Sequence, residues 1–176
     1  MEQQLQFSEG TPYPPIRVDQ PNAQYASAML ANLASCNSEI SAVSLYFYNS
    51  LVLAEQYPDL ASCFHGVSIV EMHHMHIFGQ LALLLGADPR LWSNTRRRLR
   101  YWSPACNQYP QKVLPLIRNA IDGERAAIQQ YQHQIGWIQD EGIQENLRRI
   151  LLDEEQHIVV FQSMEKELCK SEATEA

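Results

Sequence analysis

Between Asn22 and Lys170 the apolar and small residues return every three to four positions, the period of a helix with one buried face. Four such stripes can be traced. The first, from Asn22 to about Gln56, runs through Met29, Asn32, Cys36, Glu39, Val43, Tyr46 and Leu53. Pro58 and Asp59 then mark a tight turn. The second stripe is Leu60, Phe64, Val67, Glu71, His74, Phe78, Leu81 and Leu85, and Gly86 is a natural residue just past a helix end. Residues 87 to about 111 show neither a helical nor a strand period and read as a connection, with Trp92, Trp102, Arg96, Arg97, Arg98 and Arg100 among them. A third helix is predicted from Val113 to Asp140, with Pro115 in its first turn, on the stripe Val113, Ile117, Ala120, Glu124, Ala127, Tyr131, Ile135 and Ile138. The fourth, Glu141 to Lys170, carries Ile143, Leu147, Ile150, Glu154, His157, Phe161, Met164 and Leu168. Residues 1–21, with Pro12, Pro14, Pro15 and Pro21, read as an extended arm on the surface, and 171–176 as a tail.

Two antiparallel hairpins, helices one with two and three with four, are thus joined by a crossover at about 87–111. A connection of that length can run the roughly 40 Å of a long helix. The expected fold is an all-α four-helix bundle over residues 22–170. Composition agrees: 176 residues, 45% hydrophobic, suit one domain, and only 7 glycines leave long uninterrupted stretches for helix.

Charge narrows the partners. Thirteen Lys and Arg against 20 Asp and Glu, a net −7, argue against nucleic acid. The absence of an apolar run of about 18 residues, and of a leader at Met1, argues against a membrane and for a soluble, cytoplasmic protein. The cysteines, Cys36, Cys63, Cys106 and Cys169, show no C-x-x-C spacing and are expected to be free thiols. Any metal site would use nitrogen and oxygen ligands.

Each stripe has a glutamate where a bundle core calls for an apolar residue. Four unpartnered carboxylates in one core would repel and destabilise it by several kcal/mol each unless cations lie between them. Two of the stripes also place a histidine three residues on, in Glu71-Met72-His73-His74 and Glu154-Glu155-Gln156-His157, and an i, i+3 pair faces one space. The set Glu39, Glu71, His74, Glu124, Glu154 and His157 can satisfy two divalent ions, with Glu71 and Glu154 bridging and one terminal glutamate and one histidine on each ion. The competing reading is four solvated acids on exposed faces. The halves repeat: Glu39 and Glu124 each have a tyrosine at +7 (Tyr46, Tyr131), and Glu71 and Glu154 each have His at +3 and Phe at +7 (Phe78, Phe161). The separations, 32 from Glu39 to Glu71 and 30 from Glu124 to Glu154, bring all six groups to one level. Assigning four of the acids to the core leaves the remainder only mildly acidic.

The order Glu, Glu-x-x-His, Glu, Glu-x-x-His, with Val70-Glu71-Met72-His73-His74, Leu152-Asp153-Glu154-Glu155-Gln156-His157 and an early Tyr13-Pro14-Pro15, resembles the ferritin-like dimetal-carboxylate superfamily, in particular stand-alone rubrerythrin-like proteins. The resemblance spans about residues 22 to 170 and implies a di-iron or di-manganese centre acting on hydrogen peroxide or dioxygen. Rubrerythrins usually have a further glutamate where this chain has Ala127, and a rubredoxin domain that is missing here, so peroxide reduction implies an external electron donor. Manganese catalases typically use three glutamates, which favours iron over manganese, although dismutation of peroxide stays open. Bacterioferritins place a haem-binding methionine where this chain has Met72, here read as a packing residue, so haem is disfavoured. Ferroxidase or iron handling, and a non-catalytic coat or scaffold bundle, also remain open under the resemblance, and the expected assembly is a homodimer.

The resemblance also assigns Asp153 as the acceptor of the outer N–H of His74, whereas Val70 occupies the matching place for His157, so the two ions should differ. Tyr46 and Tyr131, two turns from Glu39 and Glu124, can hydrogen-bond a carboxylate or give up an electron when oxidant builds up. His73, His76, His65 and His133 fall off the ligand phase and read as surface groups, and the arginine run as pairing with acidic helix faces.

Overall fold

The computed structural model describes residues 7–95 and 98–175. In chain order the elements are α1 (Ala23–Ala34), α2 (Glu39–Leu53), α3 (Pro58–Leu84), β1 (Trp92–Thr95), β2 (Arg98–Tyr101), α4 (Val113–Trp137) and α5 (Glu141–Glu175), with a 3₁₀ turn at Pro104–Cys106. α2 packs on α3 and α4 on α5, and α3–α5 and α2–α4 contacts close an all-α four-helix bundle in which α1 and α2 together make the first helix. Pro58 opens α3 at a position whose N–H needs no partner, and Gly86, at φ 92°, ends it in the left-handed region that glycine alone adopts freely.

Four expectations are corrected. The first helix breaks at residues 35–38, because the Ser35 and Ser38 hydroxyls donate to the Asn37 and Ser35 carbonyls, at 2.8 and 2.6 Å, in competition with the helical ladder. The connection contains a hairpin, Trp92 opposite Tyr101, that lies against α1. α5 runs on to Glu175, so the segment expected to be a tail is helical. Finally, Cys36 and Cys106 are not free thiols: they form a disulfide, Cα atoms 4.8 Å apart, across 70 residues of sequence. Cys63, buried, and Cys169, exposed, are free. Of the arginine run, Arg98 and Arg100 are exposed on β2, and Arg96 and Arg97 lie outside the described residues.

The core has two apolar halves. One gathers Met29, Leu33, Phe78, Leu81, Tyr131, Ile138 and Leu147. The other gathers Leu45, Tyr46, Phe64, Val67, Ile117, Phe161 and Met164. The two-fold repeat of the sequence is visible in them, since Phe78 packs on Tyr131 at 5.3 Å between ring centres and Phe161 on Tyr46 at 5.5 Å. No helix among the described residues is long and apolar enough to cross a membrane.

The N-terminal arm is more than surface decoration. Phe7 lies over Gly66, where an added Cβ would sit 2.3 Å from its ring, and the Arg17 carbonyl lies 2.3 Å from the place of a Cβ on Gly142. The glycines let the arm seat on α3 and α5.

Candidate metal centre

Between the two apolar halves lies a polar layer to which both hairpins contribute. Glu39 is the first residue of α2, Glu71 and His74 come from the middle of α3, Glu124 from α4, and Glu154 and His157 from α5. All six are buried, none more than 2% exposed. They form two groups, Glu39, Glu71, His74, Glu154 and Glu71, Glu124, Glu154, His157, each offering ligand atoms within 4.8 Å of one another. Glu71 and Glu154 belong to both groups, the position of bridging ligands.

The two histidines face inward by the same nitrogen. His74 Nδ1 is 3.0 Å from Glu71 Oε2, 3.3 Å from Glu154 Oε1 and 3.8 Å from Glu39 Oε2. His157 Nδ1 is 3.1 Å from Glu71 Oε1, 3.2 Å from Glu154 Oε2 and 3.7 Å from Glu124 Oε1. Outward they differ. His74 Nε2 meets Asp153 Oδ2 at 2.9 Å, while His157 Nε2 is buried without a hydrogen-bond partner, as Val70 in place of an acid leads one to expect.

Electrostatics follows from burial and crowding. Burial, then the charges of Glu71 and Glu154, push the carboxyls of Glu39 and Glu124 well above the usual range. Burial acts in the same direction on Glu71, but the His157 charge and hydrogen bonds from His157 and His74 outweigh it and hold this carboxyl far below its ordinary value. For His74 and His157 burial opposes the charged ring, yet the surrounding carboxylates win and raise both well above an ordinary histidine. Glu71 Oε1 and Glu154 Oε1 stand 3.1 and 3.3 Å from the Nδ1 atoms of His157 and His74, ring nitrogens that are themselves metal-ligand atoms. Buried carboxylate oxygens and imidazole nitrogens gathered in two groups that share Glu71 and Glu154 fit two divalent ions of the iron and manganese kind.

The tyrosines cross between hairpins. The Tyr46 hydroxyl donates to Glu124 Oε1 at 2.5 Å, and the Tyr131 hydroxyl donates to Glu39 Oε1. Each therefore braces the glutamate of the opposite half rather than the one two turns before it. Asp153 in turn accepts from the Tyr13 hydroxyl at 2.5 Å, from Ser8 and from the Glu9 N–H, and pairs with Arg149 at 2.8 Å. Burial would raise the Asp153 carboxyl, but the His74, Arg149 and Tyr13 contacts hold it low. Arg149 stacks over the Tyr13 ring at 4.1 Å and donates to the carbonyls of Thr11 and Glu9.

Tyr13 and Arg149 are functional neighbours that helical spacing does not assign. Arg149 left a signal, an arginine four residues before Asp153 and next to Ile150 on a buried face; Tyr13, on an aperiodic arm, was marked only by the string Tyr13-Pro14-Pro15, with no hint of its partner. His73, His76, His65 and His133 are exposed, away from the cluster, as is Met72.

A cavity of about 210 Å³ reaches the cluster between α2 and α4. Glu39, Glu71, Glu124 and Glu154 stand at its inner end, and Gly123, Ala127 and the Cys36–Cys106 pair also line it. A glutamate at position 127 would project into this space.

The architecture has solved counterparts. KatB, a manganese catalase from Anabaena, superposes with a TM-score of 0.81 at 19% identity, over 92% of this chain and 80% of that one. The bacterioferritin BfrA of Mycobacterium tuberculosis superposes at 0.71 and 21% identity, over 86% and 89%. A dodecameric thioferritin, the bacterioferritin-related protein of Bacteroides fragilis, superposes at 0.68 and 17% identity, over 88% and 92%. These likenesses establish the ferritin-like fold. No curated protein matches the chain by sequence. The sequence profile of rubrerythrins, however, matches residues 32–165, from the end of α1 through both Glu-x-x-His pairs to the far part of α5, and the chain belongs to the rubrerythrin family.

Proposed function

We propose that the protein is a dinuclear metal oxidoreductase that reduces hydrogen peroxide, with dioxygen as the other small oxidant the site can take. The observation that carries this reading is the cavity of about 210 Å³ that reaches four buried glutamates and gives a small oxidant access to the cluster. In this reading two ions would be held by Glu71 and Glu154 in common, one also by Glu39 and His74 and the other by Glu124 and His157, and iron is favoured over manganese. When bound, the ions supply the electrons for cleavage of the O–O bond.

The chain's own residues do the rest. Tyr46 and Tyr131 each hold one oxygen of Glu124 and of Glu39 by a hydrogen bond, leaving the other free to bind or to shift. Both hydroxyls are pushed well above an ordinary tyrosine by burial and by the glutamates they touch, so they hold their protons at the carboxylate oxygens. Asp153 fixes the tautomer of His74 by accepting at Nε2, which leaves Nδ1 as the ligand atom. Tyr13 and Arg149 cover that pair and keep water from it.

The test is to count metals in the purified protein, then follow peroxide loss with and without a reductant. About two ions per chain and reductant-dependent loss are expected. Fewer than one ion per chain, together with an unchanged melting temperature in Glu154→Ala, would overturn the reading. Dismutation is the second reading, favoured by the superposition on a manganese catalase; oxygen evolution without any donor identifies it. The exposed Phe47 and Leu51 of α2 and Ile69 and Met72 of α3 suit a homodimer face.

A further inference from the structure

The cavity that reaches the glutamates is lined by a pair of sulfurs as well. Cys36 is exposed in the break between α1 and α2, three residues before Glu39, and Cys106 belongs to the 3₁₀ turn of the crossover. They are bonded to each other, and both line the same cavity as Glu39, Glu71, Glu124 and Glu154. The remaining cysteines are elsewhere. Burial pushes the Cys63 thiol up to about 12, and Cys169 is fifteen residues along α5 from Glu154, roughly 22 Å at the helical rise. Reduction of peroxide to water consumes two electrons, and the chain has no C-x-x-C pair of the kind that holds an electron-transfer iron.

We propose that Cys36 and Cys106 are a redox-active pair that delivers two electrons to peroxide in the adjoining centre; this rests on the peroxide reading above. In the working direction the pair is a dithiol. One hydrogen peroxide and the two thiols become two waters and the Cys36–Cys106 disulfide. The O–O bond breaks, the S–S bond forms, the two sulfurs are oxidised, and the two thiol protons complete the waters. The pair is reset by an external dithiol. Its thiolate attacks exposed Cys36, Cys106 leaves, and the second thiol of the donor closes its own disulfide. Non-helical backbone on both sides, residues 35–38 and the turn before α4, lets the sulfurs part without unwinding a bundle helix.

The experiment uses the full chain, metal-loaded, reduced with dithiothreitol and desalted without oxygen. One equivalent of hydrogen peroxide is added, the reaction is quenched in denaturant with an alkylating agent, and modified cysteines are counted by mass. Expected is loss of two alkylation sites, Cys36 and Cys106, at least tenfold faster than in the metal-free chain, with Cys63 and Cys169 still alkylated. With dithiothreitol as donor, Cys36→Ser and Cys106→Ser should each lower peroxide turnover at least tenfold while keeping their metal, and Cys169→Ser should not. Equal thiol oxidation with and without metal, or turnover in the serine variants equal to wild type, overturns the proposal and leaves peroxide reduction standing. A metal-loaded wild type that consumes no peroxide with dithiothreitol or with ascorbate overturns both.

Discussion

Loading the metal-free protein with two divalent ions should release about four protons per chain. Burial and the neighbouring charges drive Glu39, Glu124, His74 and His157 to higher proton affinity than usual, so the metal-free site is expected to keep a proton on each of these two carboxyls and two imidazoles that the ions must displace. Those four protons match the charge of two divalent ions, and a ligand atom cannot keep its proton and bind metal as well. The product of the two binding constants should then rise by about four powers of ten per pH unit, or about 5 kcal/mol. The four groups also set how stability changes with pH. Each binds its proton more tightly folded than unfolded, so they stabilise the metal-free chain fully below the ordinary values, 4.5 for the glutamates and 6.5 for the histidines. That stabilisation is lost as pH rises through the folded values, whereas the loaded chain has no such protons to lose. The difference in melting temperature between loaded and metal-free protein should therefore widen with rising pH. Proton release is measured by titrating manganese(II) or anaerobic iron(II) into weakly buffered protein with a pH indicator, and by calorimetry in two buffers of different ionisation enthalpy. Release of one proton or fewer, or binding constants flat from about pH 6 to 8, would refute the reasoning.

Further expectations concern the support of the site. Asp153→Asn should weaken binding of one ion about 10–100-fold, because it leaves His74 Nε2 with an amide in place of a carboxylate, and should leave the His157 ion nearly unaffected; a two-step binding isotherm separates them. Tyr13→Phe, which removes only the hydroxyl bonded to Asp153, should act on the same step with a smaller loss of about threefold to tenfold, within the range for a typical intramolecular hydrogen bond. Gly142→Ala should destabilise the fold by about 1–3 kcal/mol, since the new methyl meets the Arg17 backbone; Gly66→Ala meets only the Phe7 ring and should cost less, both read by thermal melting and by proteolysis of the arm. Opening the Cys36–Cys106 bond releases a loop of 70 residues, for which chain entropy gives about 4 kcal/mol of lost stability, checked by urea unfolding with and without dithiothreitol.

The six residues that cluster between the hairpins were legible because their signal is local. A glutamate on an apolar stripe, a histidine three residues on and an aromatic at seven all follow from the helical period, and the repeat in both halves marks them as one set. The same period overran the break at 35–38, since Asn32, Cys36 and Glu39 continue the stripe. Only the serine hydroxyls, which compete with the helix ladder, end α1 there. The crossover hairpin was illegible because its strands are four residues long and all of β2 is exposed, so no alternation of buried and exposed positions marks it.

The amino-acid sequence by itself determined the all-α bundle and the two Glu-x-x-His pairs with their partner glutamates. Each Glu-x-x-His pair depends on spacing within one helix. Tertiary structure decided that Tyr46 serves Glu124 and Tyr131 serves Glu39, that Tyr13 and Arg149 close over Asp153, and that Cys36 meets Cys106 at the cavity. Those pairings join residues 70 or more apart, except Arg149 with Asp153, and no period relates such positions. They arise when packing of the two hairpins brings surfaces together, which is a property of the folded bundle rather than of any segment.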